Sequence, residues 1–290
     1  MAELADKDDV AEKDQAAPYF EEEERAKASA HTPLRPRLIH EIIREEGEAE
    51  LRRPVSALAW SGLASGLSMG FSFLTQALLR SSLPDEPWRH LIDSFGYCVG
   101  FIIVVLGRQQ LFTESTLTAV LPVLARRDKA TGIATLRLWG VVLSANLIGT
   151  FAFAAMILPE GLLRPQVYPT LVELAMATME SPFWVTMLKA IFAGWLIALM
   201  VWLLPSAGSA RLFVILLLTY VVALGHLSHI IAGSVEAAYA VLGGHASFGA
   251  YLMAFLLPTL IGNTIGGVSL VAFLNHAPLS AERGVPSGRE

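Results

Sequence analysis

Six long apolar runs separated by short polar stretches fill the chain from about residue 54 to residue 275, at 55–80, 91–125, 134–158, 183–204, 211–243 and 247–273. Each comes near the roughly 20 residues that a helix needs to cross the hydrocarbon core of a bilayer. The second and fifth are too long for one crossing, and both are interrupted. The first interruption reads Arg108-Gln109-Gln110-Leu111-Phe112-Thr113-Glu114-Ser115-Thr116, and the second His226-Leu227-Ser228-His229-Ile230-Ile231-Ala232-Gly233-Ser234. Each is followed by an Asn-Gly pair, in Asn146-Leu147-Ile148-Gly149 and in Asn263-Thr264-Ile265-Gly266, offset by 117 positions. That offset places Phe112 on His229 and Thr113 on Ile230. Three crossings per repeat is an odd number, so the second repeat starts on the opposite side. The pattern predicts an all-α membrane protein of six transmembrane helices in two inverted three-helix repeats, with spans two and five broken.

Lipid cannot hydrogen-bond a backbone, so the broken pieces must be buried in protein or line a wet cavity. The half-helices are expected to begin near Glu114 and Ser234, with their N-terminal partial positive charges turned toward the midplane. Phe112, Thr113, Leu227 and His229 are expected to meet there. Asn146 and Asn263 are read as holding the broken loops, Arg108 as pairing with Glu114 across its loop, and His226 as a structural donor. Small residues give close-packing faces: Ser61, Gly62, Ser65, Gly66 and Gly70 on span one, Gly140, Ser144 and Gly149 on span three, Gly262, Gly266 and Gly267 on span six.

Composition sharpens the class. A hydrophobic fraction of 54% with mean hydropathy +0.53 is too apolar for a soluble domain of 290 residues. Residues 1–53 carry 15 Asp/Glu and 9 Lys/Arg, about half of all the charge. Residues 1–34 are expected to be a disordered charged tail, 35–53 an amphipathic juxtamembrane helix, 54–275 the channel domain and 276–290 a second tail. The start, MAELADKDDV, has no apolar core, so no cleaved signal peptide is expected. Arg52, Arg53, Arg126, Arg127, Lys129, Arg137 and Arg211 gather on one side of the membrane, which puts both termini in the cytoplasm. The single cysteine, Cys98, is read as filler. Trp60, Trp88 and Trp202 are read as interface anchors. No metal-ligand spacing, phosphate-binding loop or nucleophile with a base is present, so neither an enzyme nor a cofactor is expected. The scattered basic residues make no nucleic-acid footprint.

Leu111-Phe112-Thr113, Asn146 through Gly149, His229-Ile230-Ile231-Ala232 and Leu257-Pro258 through Gly267, in this order, resemble the formate/nitrite transporter family, and GRQQLFTE resembles its YfdC-like inner-membrane branch. The resemblance covers about residues 40–275. It implies an aquaporin-like protomer, a homopentamer with one pore per protomer and a lipid-blocked centre, and small monovalent weak-acid anions as solutes. It implies that His229 is the central pore histidine and Thr113 the loop threonine, with Leu111 and Phe112 as apolar constriction residues. Five positions depart from the family pattern. Gln110 stands where an acidic residue is usual, Ser228 where Glu is usual, Gly194 and Gly233 where Asn is usual, and Thr178 where a vestibule Lys is usual. Arg108, Glu114, Lys189 and Glu236 are charges in new places.

The expected function is therefore a bacterial inner-membrane channel or transporter for formate- or nitrite-like anions, in which His229 hydrogen-bonds or protonates the anion and Thr113 orients it. The gained carboxylates keep a second reading open, a channel for small neutral solutes. A third is a non-transporting membrane scaffold.

Overall fold

The computed structural model describes residues 34–273, so the expected tails at 1–34 and 276–290 lie outside the described residues but for Leu34. Among these residues the chain is helical and has no strand. The amphipathic helix α1 (Pro36–Leu51) leads into the first span, α2 (Val55–Arg80). The second span is α3 (Arg89–Leu106), a break, and then α4 (Phe112–Thr118) and α5 (Val120–Arg126). The third is α6 (Lys129–Ile157), followed by a short helix α7 (Val167–Ala177). The fourth span is α8 (Phe183–Leu203). The fifth is α9 (Arg211–Leu224), a break, and α10 (Ile230–Leu242). The sixth runs from Phe248 through a π-helical stretch (Tyr251–Leu256), an α-helical one (Leu257–Ile265) and a second π-helical one (Gly266–Phe273). Pro258 has no N–H to give the carbonyl one turn back, which favours the wider turn before it.

Two boundaries differ from expectation. α6 starts five residues before the expected 134, because Asp128 caps it: its carboxylate accepts from Thr131 N at 2.8 Å and Thr131 Oγ1 at 2.8 Å. The N-cap geometry also holds the Asp128 carboxyl below its usual range. α7 has no counterpart among the expected elements. Its sequence, VYPTLVELAMA, is apolar but too short to cross a membrane.

The small faces do bring backbones together, in matched places. A Cβ on Gly66 of α2 would lie 2.1 Å from the carbonyl oxygen of Asn146 on α6, and one on Gly194 of α8 would lie 2.4 Å from that of Asn263. Gly262 and Gly266 meet the α8 backbone at 2.4 and 2.2 Å in the same sense. Gly140 is different, for nothing in its own chain lies within 4 Å of its Cβ position, so it is no part of a packing face within the protomer. Trp202 also departs from its expected interfacial place: it is buried at 8% exposure, with its ring against His40 of α1 at 6.4 Å. Trp60, at 73% exposed, fits the expected role. Buried Cys98 packs between the carbonyls of Ser94 and Leu216.

Gly66→Ala and Gly194→Ala are each expected to cost about 1–3 kcal/mol, because rigid backbone faces the new methyl. Gly140→Ala should match the wild type or exceed it. Thermal unfolding in detergent measures all three, and equal melting temperatures would contradict the packing account.

Candidate permeation pore

Both breaks are built the same way. α3 ends at Gly107, Arg108 turns left-handed (φ 51°), and the chain is extended at Leu111 (φ −109°, ψ 129°) before α4 begins. α9 ends at Gly225, His226 turns left-handed (φ 46°), and His229 is extended (φ −109°, ψ 126°) before α10 begins. A left-handed residue other than glycine costs roughly 1–2 kcal/mol and needs surroundings that hold it.

One asparagine supplies that hold in each repeat. Asn146 Oδ1 accepts from Phe112 N at 2.9 Å, and its Nδ2 donates to Gln110 O at 2.9 Å and to Gly62 O at 2.7 Å. Asn263 Oδ1 accepts from Ile230 N at 2.8 Å, and its Nδ2 donates to Ser228 O at 2.9 Å and to Ala190 O at 2.8 Å. Each side chain thus joins the break to the first span of its own repeat. Ser61 Oγ adds an acceptor for Gln110 N at 3.0 Å.

These bonds correct the expected register. Phe112 corresponds to Ile230 and Leu111 to His229, an offset of 118 rather than 117 at the breaks. The first repeat has one more residue between break and asparagine. The half-helices also begin earlier than Glu114 and Ser234, at Phe112 and Ile230.

His229 is the cap of α10. Its Nδ1 accepts from Ala232 N at 3.2 Å, and its Nε2 lies 2.7 Å from Thr113 Oγ1. Since Nδ1 accepts, the neutral ring must carry its hydrogen on Nε2, which makes Nε2 the donor to Thr113. The ring also meets the Phe101 ring edge-on at 4.9 Å. Leu111, Phe112, Thr113 and His229 are all buried. Phe112 packs against Trp139 at 6.0 Å, whose Nε1 donates to Ser115 O at 3.0 Å.

Two cavities flank this contact. One, of about 150 Å³, is lined by His226, Leu227, Ser228 and His229 with Tyr97, Lys189 and Glu236. The other, of about 510 Å³, is lined by Gln110 and Glu114 with Glu50, Thr118 and the arginines Arg53, Arg108 and Arg211. Leu111, Phe112 and Thr113 line neither.

Other site expectations fare unevenly. Arg108 does not pair with Glu114. Its left-handed turn leaves the side chain exposed and bonded to Glu46 at 3.3 Å, while Glu114, in the first turn of α4, keeps Oε1 buried without a donor. Gly194 does not face the pore, because its backbone packs on Asn263. At Gly233 the Phe255 ring fills the space of a side chain, 2.3 Å from the Cβ position. Lys189 donates to Ser181 Oγ at 3.0 Å. His226 stacks on His90 at 4.3 Å, and His90 in turn lies 3.1 Å from Asp93 Oδ1.

Two half-buried pairs escaped the sequence reading. In the larger cavity, Thr118 Oγ1 donates to Glu50 Oε2 at 2.7 Å and Gln110 Nε2 to Glu50 Oε1 at 3.0 Å. In the smaller, Thr178 Oγ1 donates to Glu236 Oε2. Thr178 follows Glu50 by 128 positions, the same step as Gly66 to Gly194, and Glu236 follows Thr118 by 118, the step of the breaks. The two pairs are thus the same contact with donor and acceptor exchanged, and α7 is the repeat partner of α1. This offset was the signal that could have found them.

Burial pushes the Glu50 carboxyl above the usual range, against the pull of the Thr118 and Gln110 bonds. The folded protein then holds this proton more tightly than the unfolded chain, so its contribution to stability falls as pH rises from the ordinary carboxylate range through the raised one. Glu50→Gln should abolish that loss, giving melting temperatures that equal the wild type in acid and exceed it near neutral pH. Parallel pH profiles would contradict this.

A sequence profile of the family described as formate/nitrite transporter matches residues 37–277. Inner membrane protein YfdC of Escherichia coli (strain K12) is 41% identical over 89% of this chain and 85% of its own. Formate channel BtFdhC of Bacillus thuringiensis is 25% identical over 84% of this chain and 95% of its own. Among solved structures, a pentameric formate channel with formate bound has a TM-score of 0.66 at 19% identity, over 82% of this chain and 99% of that one. An FNT family ion channel has a TM-score of 0.68 at 20% identity, over 87% and 98%. These two share the fold. With the matched profile and the 41% identical relative, the chain belongs to the formate/nitrite transporter family.

Proposed function

We propose that the chain is a channel or transporter for small monovalent weak-acid anions of the formate and nitrite type. It works as a homopentamer in the lipids of the bacterial inner membrane, with both termini cytoplasmic. The observation that carries the reading is the 2.7 Å bond between Thr113 and His229, set where two half-helices begin. The first amide of each half-helix is taken by its asparagine, so the donor an anion would meet is His229 Nε2–H, released when the anion displaces the Thr113 hydroxyl. A bare anion in an apolar constriction such as Leu111 and Phe112 faces a desolvation cost of several kcal/mol, and donors at that point reduce it. Leu227, on the wall of the His229 cavity, belongs to the same apolar surround.

His229 acts here as a hydrogen-bond donor. To become imidazolium it would have to take a proton on Nδ1 and release the Ala232 N–H that Nδ1 accepts. The proton that neutralises a weak acid then comes from solution through the acid's own equilibrium. Asn146 and Asn263 hold the breaks in register through the backbone carbonyls of Gln110 and Ser228.

A neutral-solute pore is the second reading, favoured by the carboxylates of Glu50 and Glu114 on one cavity and Glu236 on the other. In proteoliposomes, formate and nitrite should flow, compete with each other, and carry current or an accompanying proton. His229→Ala and Thr113→Val should each lower flux about tenfold or more, the scale on which a lost charge-assisted bond acts. Flux of urea or glycerol with no anion competition would favour the neutral pore, and unaltered flux in both variants would remove the Thr113–His229 pair from the pathway.

A further inference from the structure

The larger cavity is walled by hydrogen-bond acceptors. Gln109 Oε1, Gln110 Oε1 and Glu114 Oε1 are buried, have no donor, and belong to residues that line it. The Gln110 amide is fixed in this sense. With Glu50 ionised, as at alkaline pH, Nε2 must be the atom that faces it, because a carboxylate only accepts, so oxygen is the atom turned the other way. Gln110 is 6% exposed, so its free oxygen has been taken out of bulk solvent. Thr118 spends its hydroxyl hydrogen on Glu50 as well.

The positive groups of the cavity stand at its rim. Arg108 and Arg211 are exposed, Arg53 is half-buried, and Arg108 is engaged by Glu46. Among the described residues, no Lys, Arg or His lies within 4 Å of the carboxylate of Glu50 or Glu114. Three carboxylates line the cavity; Glu46 is paired with Arg108, while Glu50 and Glu114 face carboxamide oxygens with no cation within 4 Å, an arrangement that an added positive charge would relieve.

We propose that Glu114, Gln110 and Glu50 form a binding site for a small monovalent cation of the sodium, potassium or ammonium kind. All-oxygen ligands suit hard cations and hydrogen-bond-donating ones. Two carboxylates and neutral amide oxygens fit a single charge better than the carboxylate-rich cage of a divalent ion. No group of three His, Cys, Asp or Glu among the described residues gathers as a metal site, so the cavity does not match a transition ion. The other cavity is unlike it: the orphan atoms among its lining residues are the Tyr97 hydroxyl and Arg80 Nε, which can donate, and Lys189 stands in its wall.

The consequence for transport rests on the anion-channel reading. A cation here removes the repulsion that Glu50 and Glu114 would exert on a passing anion, so the identity of the salt sets the rate of anion passage. The site itself is tested without transport. Purified full-length protein in detergent is dialysed to equilibrium with radiolabelled sodium, radiolabelled rubidium or isotopically labelled ammonium, each alone, at mildly alkaline pH and with choline holding the ionic strength. At least one of the three should bind saturably, at one site per chain, and choline should not displace it. Glu114→Gln should weaken binding by about tenfold or more. Glu50→Gln, an isostere that can keep both of its hydrogen bonds, should weaken it too, while Glu236→Gln should leave it unchanged. No saturable binding of any of the three to the wild type would overturn the proposal and leave a proton as the occupant. Binding that survives both Glu114→Gln and Glu50→Gln would overturn it as well. Because no flux is read, a failed transport assay and a failed cation site give different results.

Discussion

A helix broken inside a bilayer exposes backbone groups to a medium that cannot hydrogen-bond them. Here that problem is solved twice by one side chain, an asparagine from the third span of each repeat. Asn146 and Asn263 each place Oδ1 on the first amide of a half-helix and Nδ2 on two carbonyls, one in the break and one in the opening span. Everything that could serve a solute follows from these two clamps. They allow Arg108 and His226 to sit left-handed, they fix where α4 and α10 begin, and they bring Thr113 and His229 to 2.7 Å. The close glycine contacts at Gly66 and Gly194 belong to the same device, since they bring the backbone of each asparagine against the helix whose carbonyl it engages.

The repeat is larger than three spans. α1 and α7 stand at matching points, and each delivers one partner of a Glu–Thr bond, Glu50 to Thr118 and Thr178 to Glu236. Symmetry is kept in position and exchanged in chemistry. Where one repeat has the acid on the short helix, the other has it on the half-helix. The two cavities consequently differ. One has Glu50, Glu114 and Gln110 offering acceptors; the other has Lys189, His226 and Tyr97 among its lining. A path between them is chemically directional even though its backbone is nearly two-fold.

Much of this was legible in the sequence. Apolar runs of membrane length mark the spans, and two overlong runs with polar centres mark the breaks. An Asn-Gly pair at one spacing marks the clamps, because an amide is the side chain that can both accept and donate at depth. What was not legible depended on single dihedrals or on neighbours distant in sequence. The start of α4 at Phe112 is set by a hydrogen bond from another helix, and no local pattern announces it. One extra residue in the first repeat shifted the register and matched His229 to Phe112 instead of Leu111. α7 is too short and too apolar to stand out between two spans. Gly140 looks like Gly66 in sequence, yet faces no other helix of its own chain. Glu50 reads as one more charge on an amphipathic helix until Gln110 and Thr118 are found against it.

The central claim is that small anions cross at the Thr113–His229 contact between the two asparagine-held breaks. An electron cryo-microscopy map of the protein in lipid nanodiscs with nitrite present tests it most directly. The account predicts density for the anion within hydrogen-bonding reach of Thr113 Oγ1 and His229 Nε2, with both asparagine clamps intact. Density for the anion along a different route, with the Thr113–His229 bond unbroken and shielded from it, would contradict the account.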